Sequence, residues 1–495
     1  MPMDGQSTAA AMREPVYNER GVIAENYYDL QGLGVLEAAR RAYPLPKASR
    51  ESTLRSVFQS VEIALLNLHD LVARAADDVA GGRGTAACVK LFWMRGFHRL
   101  LNRLSMIPQQ LGIGQVESAS GGALRIADSP AFNNYCEALH RFDASVIELI
   151  DSGALDAEHA VADRSLDDYE FNLLHLARVC NHESTIWERN LAEVRVPVPV
   201  ASYSEFVVAE GMRSAVFDRV LSGDTYFTQF RGLHQIPETL GEEINDRCEE
   251  AIRDIRTNRL RHAVEHLDCI HVLSEGVLAA VPPMADQLAT ADYHQIRENL
   301  GLTSGSHSVC LRYHMFTHLY EQLWDEYCTC VTGKTASIRT GAEVEEALRA
   351  LECNYHGDAA AWDLHLVGNC CLKLRAFITA WRDEHLHMPR NNLGGESTKS
   401  LTGSPDAVKA VMHMRDGAIA KDPMAPLARA RGLASELPRA GSQKLTSYLD
   451  SAGSLDHRLL SVTGQITQRR FSDVQERLGF FANRCPFVPP PRRKA

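Results

Sequence analysis

The sequence lacks the features that would mark a membrane, secreted or nucleic-acid-binding protein. No uninterrupted apolar stretch approaches the roughly 20 residues that span a bilayer, and residues 1–13 contain no apolar core of a signal peptide. An excess of positive charge is also missing, because 52 Lys and Arg stand against 63 Asp and Glu and the pI is near 6.0. We therefore expect a cytoplasmic protein that binds neither nucleic acid nor a membrane.

A disulfide framework is missing as well, although the chain has 12 cysteines. Their spacing is not that of a small secreted domain, so most should be free thiols. Cys328-Thr329-Cys330 and Cys370-Cys371 raise the alternative of a metal or thiolate cofactor site. Neither has a second Cys or His pair at zinc spacing, so we interpret them as buried cysteines in helices.

Runs of strand-type alternation are scarce, whereas helical periodicity recurs along the chain. Apolar residues at spacings of three and four favour an all-α fold. The predicted helices include Leu91 to Leu104, Arg253 to Leu278, Val309 to Tyr327 and Glu343 to Leu351. A chain of 495 residues should hold two or three domain-sized units.

The segment from Tyr293 to Arg312 has the composition of an anion-binding pocket. Tyr293 and Arg297 are four residues apart, so a helix places them on one face. The helix should end at the Gly301 and Gly305 turns, where hydroxyl and backbone N–H groups become free to face a ligand. A guanidinium is a planar fork that can orient a carboxylate. The alternative is a helix end before a serine-rich turn, with Arg297 in a surface ion pair.

A second segment, Trp381-Arg382-Asp383-Glu384-His385, follows an amphipathic run, so its helix should face a core or a cofactor. Gly394 comes nine residues after His385, and Thr402-Gly403-Ser404 lies farther on. A single histidine on such a face is usually a hydrogen-bonded core residue, and that alternative stays open. His387 is a rival ligand, but it would face away from His385 on a helix.

Together the two segments resemble the tryptophan 2,3-dioxygenase superfamily of histidine-ligated heme oxygenases. That family carries Tyr-x-x-x-Arg followed by Leu-Gly, Ser-Gly and Arg at the spacing seen here. Downstream it carries Trp-Arg-x-x-His, a glycine nine residues later and a Thr-Gly-Gly-Ser loop. The present loop lies a few residues later and reads Thr-Gly-Ser. The resemblance covers residues 216–415, under half of the chain.

The resemblance implies a heme b cofactor, with O2 or H2O2 as co-substrate. His385 looks like the proximal ligand of the heme iron, and Arg297 looks like the residue that binds the substrate carboxylate. Ser304 and Thr402 look like hydroxyls that bond the substrate amino group or a heme propionate. On this basis the predicted catalytic residues are Arg297, Ser304 and Tyr293, and the predicted cofactor-binding residues are His385, Thr402, Trp381 and Arg390.

The chain also carries signs of being built twice. Two prolines at alternate positions between Arg195 and Ser202 disfavour a helix and favour an extended connector. Similar short motifs recur on either side of this connector at an offset of about 190 residues. The first copy has Ile113 near the place of Arg297, and Leu191 where His385 would lie, so we expect it to be free of heme.

This duplication sets the predicted fold and its boundaries. The fold is an all-α, tryptophan 2,3-dioxygenase-like helical bundle, duplicated in tandem as a pseudo-dimer. The predicted segments are a disordered N-terminus at 1–14, a degenerate copy without heme ligand at 15–195, a linker at 196–204, a heme-binding catalytic copy at 205–425, and a helical C-terminal extension with a disordered Pro/Arg tail at 426–495.

The residue expected over the iron departs from the family pattern, which places a histidine there within His-Gln-x-x-Glu-Leu-Trp. The offset of about 190 pairs Phe58-Gln59-x-x-Glu62-Ile63 with Asp246-Arg247-x-x-Glu250-Ala251, and neither begins with histidine. This loss leaves dioxygenation open and disfavours peroxide-driven hydroxylation, in which a distal acid–base group helps to break the O–O bond. The candidate pocket residues are Phe58, Asp246 and Arg247, the last two as substitutes for the histidine.

The favoured hypothesis is a heme-dependent oxygenase acting on an aromatic amino acid, tryptophan-like in preference, or on a derivative. An alternative is hydroxylation or rearrangement of a modified tryptophan or tyrosine in specialised metabolism. A further alternative is a non-catalytic heme-binding helical scaffold. The family's assembly suggests a homodimer built from tandem pseudo-dimers. In it Tyr27, Tyr28 and Phe58 of the first copy line the pocket or only fill that copy's own core.

Overall fold

The computed structural model describes residues 16–18, 21–24, 27–112, 122–155, 169–196, 202–218, 226–300, 308–355, 359–393 and 405–436. Several predictions fall outside these residues, namely the N-terminus at 1–14, Ile113, Ser304, Thr402 and the tail after 436. They stay predictions.

The described part of the chain is all-α, as the periodicity predicts. Its strands form two short antiparallel pairs, β1 (Val16–Asn18) with β2 (Gly21–Ala24) and β3 (Gly122–Leu124) with β4 (Val194–Val196). Arg195 lies in β4 opposite Ala123. The predicted extended connector therefore begins as a strand.

The helices fall into two sets along the chain. The first set is α1 (Tyr27–Leu30), α2 (Leu33–Ala42), α3 (Arg50–Ala80), α4 (Gly84–Gln110), α5 (Pro130–Asp151) and α6 (Tyr169–Leu191). The second set is α7 (Tyr203–Val207), α8 (Ala209–Phe217), α9 (Phe227–Arg256), α10 (Leu260–Ala279), α11 (Pro282–Gln287), α12 (Thr290–Leu300), a π-helix (Val309–Leu319), α13 (Tyr320–Thr332), α14 (Gly341–Asn354), α15 (Ala359–Leu393), α16 (Ala407–Ala420) and α17 (Ala425–Glu436).

The hairpin of α9 and α10 corrects one sequence prediction. Apolar spacing predicted a single helix from Arg253 to Leu278, but α9 ends at Arg256 and α10 begins at Leu260. Asn258 between them has a φ of 57°. This left-handed conformation, which asparagine tolerates better than most residues, ends a right-handed helix. Periodicity missed the break because both arms of the hairpin have apolar faces.

The same local features recur at residue numbers that differ by 176. Gly82, between α3 and α4, has a φ of 69° and corresponds to Asn258. Gly32, between α1 and α2, and Val208, between α7 and α8, are both left-handed, with φ of 66° and 56°. The ends of α3 and α9 keep this spacing, as do the starts of α4 and α10. The offset through these elements is therefore 176 and not about 190.

The polar contacts at the two hairpin turns match as well. In each turn a buried aspartate at the end of a long helix contacts an arginine of the turn and a side-chain nitrogen of the next helix. The first group is Asp78, Arg83 and Lys90, and the second, 176 residues later, is Asp254, Arg259 and His266.

Helices α3 and α9 pack against each other at the centre. α3 also packs against α4 and α5, and α4 against α6, whereas α9 packs against α10 and the π-helix, and α10 against α15. Apolar side chains of both sets join in one core. Residues 1–430 thus form one compact unit that contains most of both predicted copies, 15–195 and 205–425. Residues 431–495 form a second unit, of which 431–436 are described.

One stretch of the described residues, Leu260–Gln287, is long and apolar enough to cross a membrane. It covers α10 and α11, and 61% of its apolar window is buried inside the protein. Both helices pack against α15, so in this fold the stretch belongs to the core.

Candidate functional site

Tyr293 and Arg297 lie one turn apart on α12, as the sequence predicts, and the helix ends at Leu300. Both side chains are buried, Tyr293 with 7% and Arg297 with 9% of its surface exposed. Burial raises the pKa of Tyr293, and the charge of Arg297 opposes that rise. The guanidinium therefore lies close to the phenol in a shielded place.

His385 is partly buried on α15 and stacks on the indole of Trp381, one turn earlier. The two ring centroids are 5.2 Å apart and the ring planes differ by 10°. Trp381 in turn meets Phe316 of the π-helix edge-on, at 5.2 Å. These contacts fix the plane of the imidazole. The rival His387 is exposed, as expected for a residue two positions away on a helix.

The other predicted site residues lie elsewhere. Arg390 is exposed near the end of α15 and donates to Met412 Sδ at 3.7 Å. Asp246 pairs with Arg40 of α2, in the contact between the two helix sets.

Arg247 belongs to the same contact. Its guanidinium bonds Glu243 at 3.1 Å and the Thr53 hydroxyl at 2.7 Å. These bonds join α9 to α3, so Arg247 connects the two helix sets. Its predicted place over the iron stays a prediction.

The structure reveals a candidate residue, His234, that the sequence patterns alone did not indicate. With the 176-residue offset, Phe58 corresponds to His234 and not to Asp246. The run from His234 to Glu238 reads His-Gln-Ile-Pro-Glu, which matches the first five positions of the family's distal pattern. Thr239 and Leu240 stand where that pattern has Leu-Trp. The signal was in the sequence, but an offset of about 190 directed the comparison twelve residues too far along.

His234 is a buried, neutral imidazole. Its Nδ1 lies 2.8 Å from the carbonyl oxygen of Phe230. Because a carbonyl only accepts, Nδ1 must carry the proton, which leaves the lone pair on Nε2. Burial lowers the pKa of His234 to about 4. The ring of Tyr27, from α1, approaches it edge-on with the centroids 6.4 Å apart.

The height of His234 in the bundle follows from the hairpin of α9 and α10. Gly276 of α10 lies against Leu240 of α9. Because the two helices run antiparallel, each step back along α9 is matched by a step forward along α10. His234 is therefore level with about residue 282.

Helices α10 and α15 run parallel and in step. Arg261 bonds Asp363, and Cys370 bonds Asp268, and in each pair the residue numbers differ by 102. This register ends with α10 at Ala279, whose counterpart on α15 is Trp381, one turn before His385. The next helix, α11, also packs against α15.

α12 lies at the same end. Burial raises the pKa of Tyr226 to about 12, with a smaller contribution from the charge of Asp292. Tyr226 immediately precedes α9, two turns before His234, and Asp292 is next to Tyr293. α12 also packs against α15. α12, which carries Arg297, is therefore near the start of α9 and in contact with α15. By contrast Asp246 lies about 18 Å along α9 from His234.

Glu238, one turn after His234, joins three parts of the fold. Its Oε1 accepts from the Tyr27 hydroxyl and from the Val309 N–H, both at 3.1 Å. Its Oε2 accepts from the Cys310 N–H at 3.0 Å. Burial raises the pKa of this carboxyl, and the bonds that it accepts oppose the rise. Since Val309 and Cys310 begin the π-helix, one carboxylate holds α1, α9 and the π-helix together.

The first helix set contains the counterpart of this arrangement. Glu62 accepts from the Tyr203 hydroxyl at 3.0 Å, from the Ser129 hydroxyl at 2.6 Å and from the Ala131 N–H at 3.4 Å. Tyr203 meets Phe58 edge-on at 5.9 Å, as Tyr27 meets His234. Each tyrosine comes from the opposite helix set. The contact is thus made twice, but with Phe58 where the second set has an imidazole.

Aromatic side chains fill the interior between α4, α5 and α6. The Trp187 N–H donates to His98 Nδ1 at 3.1 Å, and the two rings stack with centroids 6.1 Å apart. Tyr135 packs on both. Burial lowers the pKa of His98 to about 3. Leu191, at the end of α6, is fully buried, so this region is a hydrocarbon and aromatic core.

A cleft of about 430 Å³ lies between α2, α9 and the start of the π-helix. Both helix sets line it. Its lining includes Leu36, Arg40, Gln59, Glu238, Thr239 and Val309. The cleft thus reaches Glu238, one turn from His234, and residues of the first set border the region of His234.

Two kinds of metal centre can be compared with the side chains of this region. Among the described residues no three His, Cys, Asp or Glu side chains converge on a metal site. A heme iron needs as few as one protein ligand, and histidine is a common one. His385, partly buried on α15, is a residue that could be such a ligand.

No family model matches the chain, and no curated protein matches it. Its function is therefore inferred from the residues and their arrangement.

Proposed function

We propose that this chain binds heme between α9 and α15 and oxygenates an aromatic amino acid, tryptophan-like in preference, or a derivative of one. The observation that carries the proposal is that α12, which holds the buried Arg297, packs against α15, which holds the partly buried His385. Both segments resemble the tryptophan 2,3-dioxygenase superfamily, and so does the run that begins at His234.

The proposed heme contacts are on α15 and in the loop after it. His385 would be the protein ligand of the iron, and stacking on Trp381 would fix its imidazole plane, as second-shell contacts do in metal sites. Arg390 and Thr402 would contact the cofactor as the family resemblance implies. Bound there, heme would supply the redox chemistry that activates O2 or H2O2.

The substrate carboxylate would bind to Arg297. A guanidinium shielded from water makes a stronger and more directional pair with a carboxylate than an exposed one does. Tyr293 lies beside it and narrows the space in which the carboxylate can sit. Anchoring the carboxylate fixes the orientation of the aromatic ring, and such positioning lowers the entropic part of a barrier. Ser304 would bond the amino group.

His234 would handle the proton on the opposite side of the cofactor. Its imidazole is neutral above about pH 4, and the Phe230 carbonyl keeps the proton on Nδ1. Nε2 is then preset to accept a hydrogen bond, or a proton, from an N–H or O–H of the substrate.

The recurrence at 176 residues supports a tandem duplication that forms a pseudo-dimer within one chain. We propose that residues 15–195 are the degenerate copy and 205–425 the catalytic copy. Phe58 stands where His234 would be, and Leu191 ends the helix that corresponds to α15, so the first copy lacks both imidazoles. One heme per chain is the expected stoichiometry, and a value near two would contradict the degenerate copy.

A second candidate function, hydroxylation or rearrangement of a modified tryptophan or tyrosine, is favoured by His234. The objection to peroxide chemistry was the lack of a distal histidine, and a buried imidazole now meets it. Incubation with tryptophan, tyrosine and halogenated analogues separates the two functions. Formation of N-formylkynurenine supports ring opening, whereas a product that keeps its ring supports the second function.

A visible spectrum of the purified protein tests the cofactor. We expect a Soret band after expression with heme supply, and its loss in His385→Ala. His387→Ala is the matched control, because this exposed histidine lies two residues away, and it should keep the band. Absence of the band in the unchanged protein, or its full retention in His385→Ala, would overturn the proposal.

Substrate titration tests the alternative of a non-catalytic heme-binding scaffold. A productive site should shift the Soret band on addition of an aromatic amino acid, and Arg297→Ala should abolish the shift. A heme protein without any response to such ligands would favour the scaffold.

A further inference from the structure

The two buried glutamates, Glu62 and Glu238, accept equivalent sets of hydrogen bonds in different surroundings. Each set, a glutamate with the groups that donate to it, is called a bracket below. Each glutamate accepts hydrogen bonds from a tyrosine of the opposite helix set and from the first turn of a following helix. The Glu62 bracket holds its tyrosine against Phe58, and the Glu238 bracket holds its tyrosine against His234. The proposed chemistry uses neither glutamate.

We infer that Glu238 is a positioning residue of the site, whose carboxylate holds the Tyr27 ring against His234 and fixes the first turn of the π-helix. A role of Glu238 in catalysis rests on the proposed function, whereas its effect on the position of Tyr27 and of the π-helix does not.

The number of donors makes the carboxylate necessary. A carboxylate has only acceptor sites, and Glu238 uses them for one hydroxyl and two backbone N–H groups. An amide at this position would offer one oxygen, and its NH2 group would face a donor. Glu238→Gln should therefore release Tyr27, the π-helix turn or both.

Tyr27 depends on this bond more than a residue of a long helix would. Helix α1 has four residues, too few to be stable without tertiary contacts. Its buried hydroxyl reaches across to the other helix set, where Glu238 receives it. Release of that hydroxyl should let the Tyr27 ring leave the edge of His234.

The π-helix gives the bracket a second consequence. It follows residues 301–307, which include the predicted substrate contact Ser304. The bonds from Val309 and Cys310 to Glu238 therefore fix the point at which that segment joins the bundle. A change at Glu238 should reach the substrate side as well as His234.

The Glu62→Gln variant is the matched control, because it breaks an equivalent bracket that has no imidazole beside it. Both variants should lower the melting temperature by similar amounts. The full-length chain, labelled with 13C at histidine Cε1, then reports the surroundings of His234, whose resonance is identified by its loss in His234→Asn. We expect Glu238→Gln to shift this resonance through the changed ring current of Tyr27, and Glu62→Gln to leave it in place.

Two outcomes would overturn the inference. One is an unmoved His234 resonance in Glu238→Gln, and the other is an equal shift in Glu62→Gln, which would indicate general loosening. If Glu238→Gln does not fold, Tyr27→Phe removes only the donor hydroxyl and Tyr203→Phe is its control. The same resonance decides between the outcomes.

An activity measurement separates this inference from the proposed function. With heme-loaded protein and tryptophan, kcat/KM should fall at least tenfold in Glu238→Gln and less than twofold in Glu62→Gln. A protein without heme or activity would contradict the proposed function, and the histidine resonance would still test Glu238. An active protein whose kcat/KM is equal in both variants would contradict the positioning role alone.

Discussion

The two helix sets of this chain keep the same bracket and differ in what the bracket holds. Glu62 and Glu238 accept equivalent bonds, and the tyrosines that donate to them are both buried. The residue one turn earlier is Phe58 in one set and His234 in the other. The shared residues are those that bury polar groups and join helices, whereas the residue that differs is the one that could handle a proton.

A second difference lies after the bracket. In the first set the bonded turn opens α5, an ordinary α-helix capped by Ser129. In the second set it opens an eleven-residue π-helix capped by Ser308, in which the Thr317 hydroxyl bonds the Arg312 carbonyl five residues back. π-Helical turns are less stable than α-helical ones and are frequent at functional sites. Both differences place the unusual features in the second set.

The largest expected effect comes from exchanging the two bracketed residues. His234→Phe should lower kcat of the heme-loaded protein by about 100-fold or more, the usual scale for loss of an acid–base group. Phe58→His should create no activity and should lower the free energy of unfolding by about 1–3 kcal/mol, because it replaces a buried apolar ring by a polar imidazole. Turnover assays and urea unfolding measure the two effects. Full activity in His234→Phe would remove the functional difference between the sets.

The next effect concerns Arg297 on α12 of the second set. Arg297→Ala should lower kcat/KM for an amino-acid substrate by about 10–100-fold, because a charged hydrogen bond contributes about 1.5–3 kcal/mol. A substrate analogue without its carboxylate should be much less sensitive to the change. Arg256→Ala, which removes an exposed pair with Glu326, should keep kcat/KM unchanged. Equal losses in both variants would argue against a carboxylate site.

The pH dependence of stability should reveal one buried, neutral histidine in each helix set, His98 in the first and His234 in the second. The pKa values of His98 and His234 lie at about 3 and 4 in the folded chain, below about 6.5 for an unfolded histidine. As the pH falls below about 6.5, the unfolded chain binds protons that the folded chain does not. Each imidazole should therefore remove up to about 1.4 kcal/mol of stability per pH unit between about pH 6 and 4.5.

Variants isolate the two contributions to this slope from those of the buried carboxyls. His98→Gln keeps an acceptor for the Trp187 N–H. His234→Phe introduces the residue type that the first set has at the equivalent position, Phe58. Each should flatten the unfolding free energy against pH in the acid range, measured by urea unfolding at several pH values. A slope unchanged in His234→Phe would mean that this imidazole is not held neutral.

The smallest expected effect is a loss of stability that is the same in the two helix sets. Tyr27→Phe and Tyr203→Phe each remove one buried hydroxyl donor to a glutamate, and each should cost about 1–2 kcal/mol of unfolding free energy. The two losses should agree to within about 0.5 kcal/mol, since their brackets are equivalent. Unequal losses, measured by chemical denaturation, would show that the two brackets differ in more than the residue beside the tyrosine.

Local patterns in the sequence predicted what depends on neighbours along one helix. The all-α fold follows from apolar spacing, and the pairing of Tyr293 with Arg297 follows from a four-residue step. The choice of His385 over His387 agrees with the partial burial of one and the exposure of the other. Each of these depends on helix geometry alone, which is the same in every protein.

Tertiary structure alone decided which residues of the two sets correspond. Short punctuation motifs recur by chance, so an offset of about 190 was as plausible as 176 until the turns were seen. The equivalence of Gly32 with Val208, or of Gly82 with Asn258, lies in a left-handed backbone that the residue types do not reveal. His234 was hidden for this reason.

The sequence by itself thus determined the helices, the Tyr-x-x-x-Arg and Trp-Arg-x-x-His segments and the expectation of a heme site between them. Only the packed structure placed Tyr27 against His234 and joined it to Glu238 across 211 positions of the chain. The physical reason is that a buried carboxylate must find its donors wherever the fold supplies them, and no local pattern encodes a partner so far away.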